Sequence, residues 1–197
     1  MSKGKRKTKS IYIDTNVALD YATQRNKETI AVLDRIKERG WKCISASFMA
    51  MEMADYKKGS LYVVNKLVNK KWEPRKVLSS IRNTDLNETQ LDEAHDWFVE
   101  FISRYKKIEF YDFITDSDSW AFAQEISFGS NLTAPDVIHL SSAILGAIGG
   151  KCDTMITQDG NLIVEGNKIL KKQHLKSKLS IQTVAKFRKA HFRTLRF

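Results

Sequence analysis

Residues 11–21 read IYIDTNVALDY. Three apolar residues, Ile11-Tyr12-Ile13, run straight into Asp14, and Thr15-Asn16 follow. The run is too short for a helix and apolar on both faces, so Ser10–Ile13 predicts a strand buried inside a parallel sheet. A carboxylate where such a strand ends is either a cap for the next helix or part of a site. The choice depends on whether the rest of the chain supplies matching acids.

Working outward, helical spacing predicts a helix through Val17, Leu19 and Tyr21 and a second over 28–39, with Ile30, Leu33 and Ile36 on one face and Gly40 as its stop. WKCISAS, residues 41–47, predicts the second strand, and Ser47 is placed to cap a helix opening FMAMEMADY. Residues 60–107 read as helical. Their clearest part is 87–107, where Leu91, Ala94, Phe98, Ile102 and Tyr105 recur every three or four positions. KIEFYDFIT (107–115) predicts the third strand, and Asp116 or Ser117 the cap of a helix holding Trp120, Phe122 and Ile126. APDVIHLSSAILGAIGG (134–150) predicts a helix with Pro135 harmlessly in its first turn. DTMIT (153–157) and LSIQTV (179–184) predict two more strands, and a short basic helix closes the chain. Short apolar strands alternating with helices predict an α/β fold: a three-layer α/β/α sandwich with a central, mostly parallel sheet and a helical insertion.

The chain has 197 residues, 42% of them apolar, enough for a core. No apolar run reaches the ~18–20 residues of a membrane span, so no membrane role is expected. MSKGKRKTKS at the start lacks the apolar stretch of a secretion signal. Cys43 and Cys152 have no metal-binding spacing and read as reduced core thiols of a cytoplasmic protein. The net charge is +10, unevenly spread: residues 1–13 hold five Lys or Arg and no acid, and residues 166–197 hold ten and no acid. The part between is mildly acidic. Basic ends of this kind suit a phosphate polymer or an acidic protein.

In open parallel sheets, sites form beyond the carboxyl ends of the strands. Asp14 ends the first strand, Glu52 lies in the helix after the second, Asp136 opens the helix before the fourth, and Asp159 follows the fourth. Asp14, Asp136 and Asp159 each also have a local explanation, as a helix cap, a first-turn acid and an Asp-Gly turn. Glu52 is harder to dismiss, being the only charge in SFMAMEMA. Two carboxylates ~5 Å apart repel by roughly 3 kcal/mol at an effective dielectric near 20. A divalent cation removes that repulsion. Oxygen ligands without clustered His or Cys point to Mg²⁺ or Mn²⁺, which can activate water against a phosphodiester.

These residues resemble a PIN domain. Its pattern is a strand ending Asp-Ser/Thr-Asn/Ser, here Asp14-Thr15-Asn16; a Ser before a helical Glu, here Ser47 and Glu52; an Asp heading a helix of small residues, here Asp136; and Thr-x-Asp after a strand, here Thr157-Gln158-Asp159. The resemblance covers roughly 10–165 and implies one PIN-like domain over 10–190, including the insertion 60–107, with a basic tail at 1–9 and a basic end at 191–197. It implies a Mg²⁺- or Mn²⁺-dependent endoribonuclease in which Asp14, Glu52, Asp136 and Asp159 bind metal and catalyse, and Asn16 and Thr157 orient them. Many members are VapC-like toxins, dimers inhibited by a small antitoxin, so RNA, an antitoxin protein and a second copy are the expected partners. The alternative is a PIN-like RNA-binding or scaffold protein that no longer cuts. A haloacid-dehalogenase-type phosphatase would need an acid at position 16, where Asn stands.

Further residues are candidates for RNA contact. Trp72 sits beside Lys70, Lys71 and Arg75, a combination that can stack on and hold a single strand. KFRKAHFRTLRF (186–197), with Arg188 and Lys189, reads as an RNA arm or as a docking helix for an acidic partner. His139, one turn after Asp136, is expected as a core or surface histidine rather than a phosphate contact.

Overall fold

β1 (Ser10–Ile13) is a strand because its residues have nowhere else to be: Ile11, Tyr12 and Ile13 are fully buried. The structure, a computed structural model, describes residues 9–81, 85–105 and 108–195. Five strands form one sheet in the order β3-β2-β1-β4-β5, with every pairing parallel: β2 is Lys42–Ser45, β3 Ile108–Phe110, β4 Thr154–Ile156 and β5 Ser180–Gln182. β1 is central, flanked by the likewise largely buried β2 and β4, as a strand apolar on both faces should be. The third predicted strand is much shorter than KIEFYDFIT. β3 lies at the sheet edge, where Lys42 of β2 pairs with Glu109 and holds its carboxyl below the usual range.

The chain divides into two units, one of 1–47 with 107–197 and one of 48–106. In the first, α1 (Thr15–Ala22) and α2 (Lys27–Glu38) follow β1, and α6 (Ser117–Phe128) and α7 (Ala134–Ile148) follow β3. α8 (Gly160–Lys172) follows β4, and α9 (Val184–His191) follows β5. α2 packs with α1 and α9, and α7 with α6 and α8; both α2 and α7 also pack on β2, so the sheet lies between two helical layers. Two of the predicted caps operate: Asp116 accepts the Ser119 N–H at 2.8 Å, and Gly40, at φ +71, takes the left-handed position after α2.

α8 goes beyond the sequence reading, which assigns no helix to 160–172. Gly160 and Gly166 disguise its apolar stripe of Leu162, Ile169 and Leu170. Gly166 is there for space: a Cβ on it would stand 2.5 Å from Ile181 Cδ1 of β5 and 3.3 Å from Leu140 Cδ1 of α7. The chain's end is also no free arm through Leu195. Phe187 and Phe192 are buried beside Trp41, with ring centroids 6.4 and 5.6 Å away.

The second unit consists of α3 (Phe48–Val64), a π turn (Asn65–Asn69), α4 (Pro74–Ser80) and α5 (Glu88–Arg104). α3 packs on α5, and Lys57 pairs with Glu93 at 2.9 Å. The buried face of this unit includes Met53, Tyr62, Val77, Ala94, Phe101 and Tyr105. Leu91, expected on the apolar face of α5, is 45% exposed. Residues 70–73 are not helical: Pro74 drives Glu73 to extended φ/ψ, and Lys71 has a φ of +55.

Candidate active site

The parallel register of β1 with β4 decides what meets at the carboxyl edge of the sheet. Ile13 pairs with Ile156, and the Asp14 N–H continues the ladder to the Ile156 carbonyl at 3.1 Å. The next residues, Asp14 and Thr157, therefore emerge side by side.

Asp14 is 4% exposed. A carboxylate that deep must be hydrogen-bonded. Its Oδ1 accepts the Thr15 N–H at 2.7 Å, which makes it the cap of α1. Its Oδ2 accepts the Asn16 amide at 2.7 Å and the Thr157 hydroxyl at 2.6 Å. The same hydroxyl oxygen accepts the Asp159 N–H at 2.9 Å and the Asn16 amide at 3.2 Å. Asn16 Oδ1 in turn accepts the Gln158 N–H at 3.0 Å. One threonine hydroxyl thus joins the two acids that follow β1 and β4, and Asn16 braces both loops.

Asp159 is half-buried and caps α8, its Oδ1 accepting the Leu162 N–H at 2.9 Å. Asp136 is half-buried in the first turn of α7, where its Oδ2 accepts the Thr133 hydroxyl at 2.6 Å and the Thr133 N–H at 3.3 Å. Asp14 therefore takes its expected capping role and Asp136 its expected place in a first helical turn, while Asp159, expected as an Asp-Gly turn, caps α8. Glu52 belongs to α3 of the second unit and is half-buried, between Met51, which is exposed, and Met53, which is buried. Among the described residues, no group of three or more His, Cys, Asp or Glu side chains is disposed to hold a metal ion.

His139 holds α7 to the end of β1. It is 1% exposed, with Nδ1 2.9 Å from the Tyr12 hydroxyl and Nε2 2.9 Å from Thr15 Oγ1. Nε2 also lies 3.8 Å from Asp14 Oδ1. Burial pushes the Tyr12 hydroxyl well above its ordinary range, so it stays neutral. The core reading of His139 is the one the structure bears out. Its bond to Thr15 gives a role to the middle residue of Asp-Thr-Asn, which the sequence left unassigned. A second network extends outward: the buried Asp20 bonds Arg25 and accepts the Thr29 hydroxyl at 3.1 Å, and Gln158 Nε2 reaches Thr29 at 3.2 Å. An i, i+4 pair, Asn16 and Asp20, was the available signal for it.

The candidate RNA contacts divide. Arg188 is committed to Glu28 at 2.7 Å and to the Leu195 carbonyl at 3.3 Å, whereas Lys189 is exposed. Lys70, Lys71 and Arg75 are exposed in the second unit beside a half-buried Trp72. That unit also carries a groove of about 680 Å³, lined by residues such as Tyr56, Val63 and Ile81 and by none of the candidate acids.

No protein-family model matches the chain, and no curated protein does. Among solved structures, VapBC2 from Rickettsia felis, crystallised bound to a DNA fragment from its promoter, superposes with a TM-score of 0.49 at 12% identity. The match spans 88% of this chain and 98% of that one. A likeness at that level carries nothing about chemistry. Cys43 and Cys152 are free and buried, burial pushing the Cys152 thiol up to about 12. No helix among the described residues is long and apolar enough to cross a membrane.

Proposed function

We propose that this chain is a Mg²⁺- or Mn²⁺-dependent endoribonuclease with its centre at the carboxyl edge of the sheet. The observation that carries the reading is the Thr157 hydroxyl, which ties Asp14 to the Asp159 loop at the ends of two adjacent parallel strands. Parallel α/β folds place their chemistry at that edge.

The donor chemistry fits the ion. Asp14 and Asp159 offer hard oxygens, and Mg²⁺ is commonly held by only one or two carboxylates, completing its shell with waters and substrate phosphate oxygens. Asp136 of the same unit, and Glu52 of the helical unit, are the further candidate acids. When bound, the ion supplies an activated water and stabilises charge on the phosphodiester. The residues around it fix geometry. Asn16 and Thr157 lock the Asp14 carboxylate in one orientation, and the Thr15–His139–Tyr12 chain anchors α7 one turn beyond Asp136. On this reading the substrate is RNA, and an antitoxin-like protein or a second copy of the chain is a candidate partner.

The lack of a three-ligand cluster among the described residues favours a second reading, a PIN-like RNA-binding or scaffold protein without cleavage. Incubating RNA with Mn²⁺ separates the two. Wild type should cut, and Asp14→Asn should abolish cutting while its melting curve shows that it is folded. If the wild type leaves RNA intact across Mg²⁺ and Mn²⁺, the nuclease reading fails and the binding reading remains.

A further inference from the structure

We propose that residues 66–76 of the helical unit form a docking site for the phosphate backbone of single-stranded RNA. Five cations, Lys66, Lys70, Lys71, Arg75 and Lys76, fall within eleven residues against one acid, Glu73. Among the described residues none of the five is in an ion pair, while Lys57 of the same unit pairs with Glu93.

The cations are also ordered. Lys66 Nζ sits 5.1 Å from the Tyr62 ring and 4.8 Å from the Trp72 ring, and Lys76 Nζ sits 4.1 Å from the Trp72 ring. Tyr62 is buried, and its hydroxyl donates to Ser80 Oγ at 2.8 Å. The ladder therefore stands on the core of the unit. Contact with a ring holds an ammonium in place without neutralising it. Such contacts hold part of the ordering that anion binding demands in place beforehand.

The backbone bends around the same point. The π turn ends with the Lys70 N–H on the Asn65 carbonyl at 3.0 Å, and the Trp72 N–H returns to the Lys66 carbonyl at 2.9 Å. Lys71 takes φ +55, a conformation uncommon outside glycine, and both it and Lys70 are exposed. π turns and such backbone outliers cluster at functional sites.

Unneutralised cations around an aromatic ring are what a single strand needs. Phosphates take the charges, and one unstacked base stacks on Trp72 in exchange for the exposed Lys76 ammonium that lies over that ring. A duplex offers phosphates but no free base face. An acidic peptide offers charge but nothing that requires the indole.

The test uses the full chain in the Asp14→Asn background, so the probe is not cut. It is a fluorescein-labelled RNA of about twelve nucleotides, read by anisotropy over a NaCl series. Lys70→Ala/Lys71→Ala/Arg75→Ala should weaken binding at least about tenfold near 100 mM salt and flatten the log–log salt slope by about 2. Lys171→Ala/Lys172→Ala/Lys176→Ala, which removes the same charge elsewhere, should do neither. Trp72→Ala should weaken binding about tenfold with the slope little changed. Equal effects of the two triples would overturn the site. Equal competition by duplex RNA would overturn its preference for single strands, and equal competition by polyglutamate would reassign it to an acidic protein. Because cleavage is not measured, the result stands or falls apart from the nuclease reading.

Discussion

Thr157 shows how a neutral residue can organise charged ones. Its hydroxyl donates to Asp14 and accepts from the Asp159 N–H and the Asn16 amide, all within a fully buried position. Thr157→Val keeps the shape and removes every one of these bonds. The orphaned groups should cost about 1–3 kcal/mol of stability, read from urea unfolding, whereas Thr157→Ser should keep most of it. Asn16→Ala should leave the fold intact and lower Mn²⁺-dependent cleavage about ten- to a hundredfold, the usual cost of losing a group that orients a metal ligand. An Asn16→Ala enzyme with undiminished cleavage would place the reacting centre elsewhere.

At the scale of elements, two glycines in helices have opposite meanings. Gly59, in α3, has nothing within 4 Å of where a Cβ would go. Gly59→Ala should stabilise the chain by about 0.5–1 kcal/mol through helix propensity and a less flexible unfolded state. Gly166, in α8, lies under Ile181 and Leu140. Gly166→Ala gains the same propensity but overpacks a buried contact, which costs about 1–3 kcal/mol. The net change should be destabilising, and Gly166→Ala/Ile181→Val should recover it. Thermal melts of the two single variants and the double variant check the pair.

Lys9 and the helix α9 meet in the first unit. Lys9 Nζ lies 3.3 Å from His191 Nε2, 5.3 Å from the Trp41 ring and 3.9 Å from Asp153. Burial, then the Lys9 charge, lowers the His191 pKa below its ordinary 6.5. The unfolded chain therefore takes up this proton first as pH falls. The stability linked to it is complete above about pH 6.5 and is lost as pH drops from there through the folded value. Melting temperature should fall over that window, and His191→Phe, which keeps a ring in the cluster, should flatten the fall. An unchanged profile in His191→Phe would show that other groups carry it.

Alternation of apolar runs with helical spacing made β1, β2, β4 and most helices legible, because burial on both faces leaves a short strand little choice of residue. Helix caps such as Asp116 were legible because their partners lie three residues away. The same locality left the acids ambiguous: Asp14, Asp136 and Asp159 were readable as caps or as a site, and the structure shows the caps engaged. α8 stayed hidden because Gly166 is set by Ile181 and Leu140, residues from other elements. Sequence alone determined β1, β2, β4 and most helices, and that Asp14 and Asp159 follow strands. Only tertiary structure decided that Asp14 and Asp159 share one hydroxyl, that His139 clasps β1, and that Phe187 and Phe192 are core, because each depends on register and packing between residues far apart in the chain.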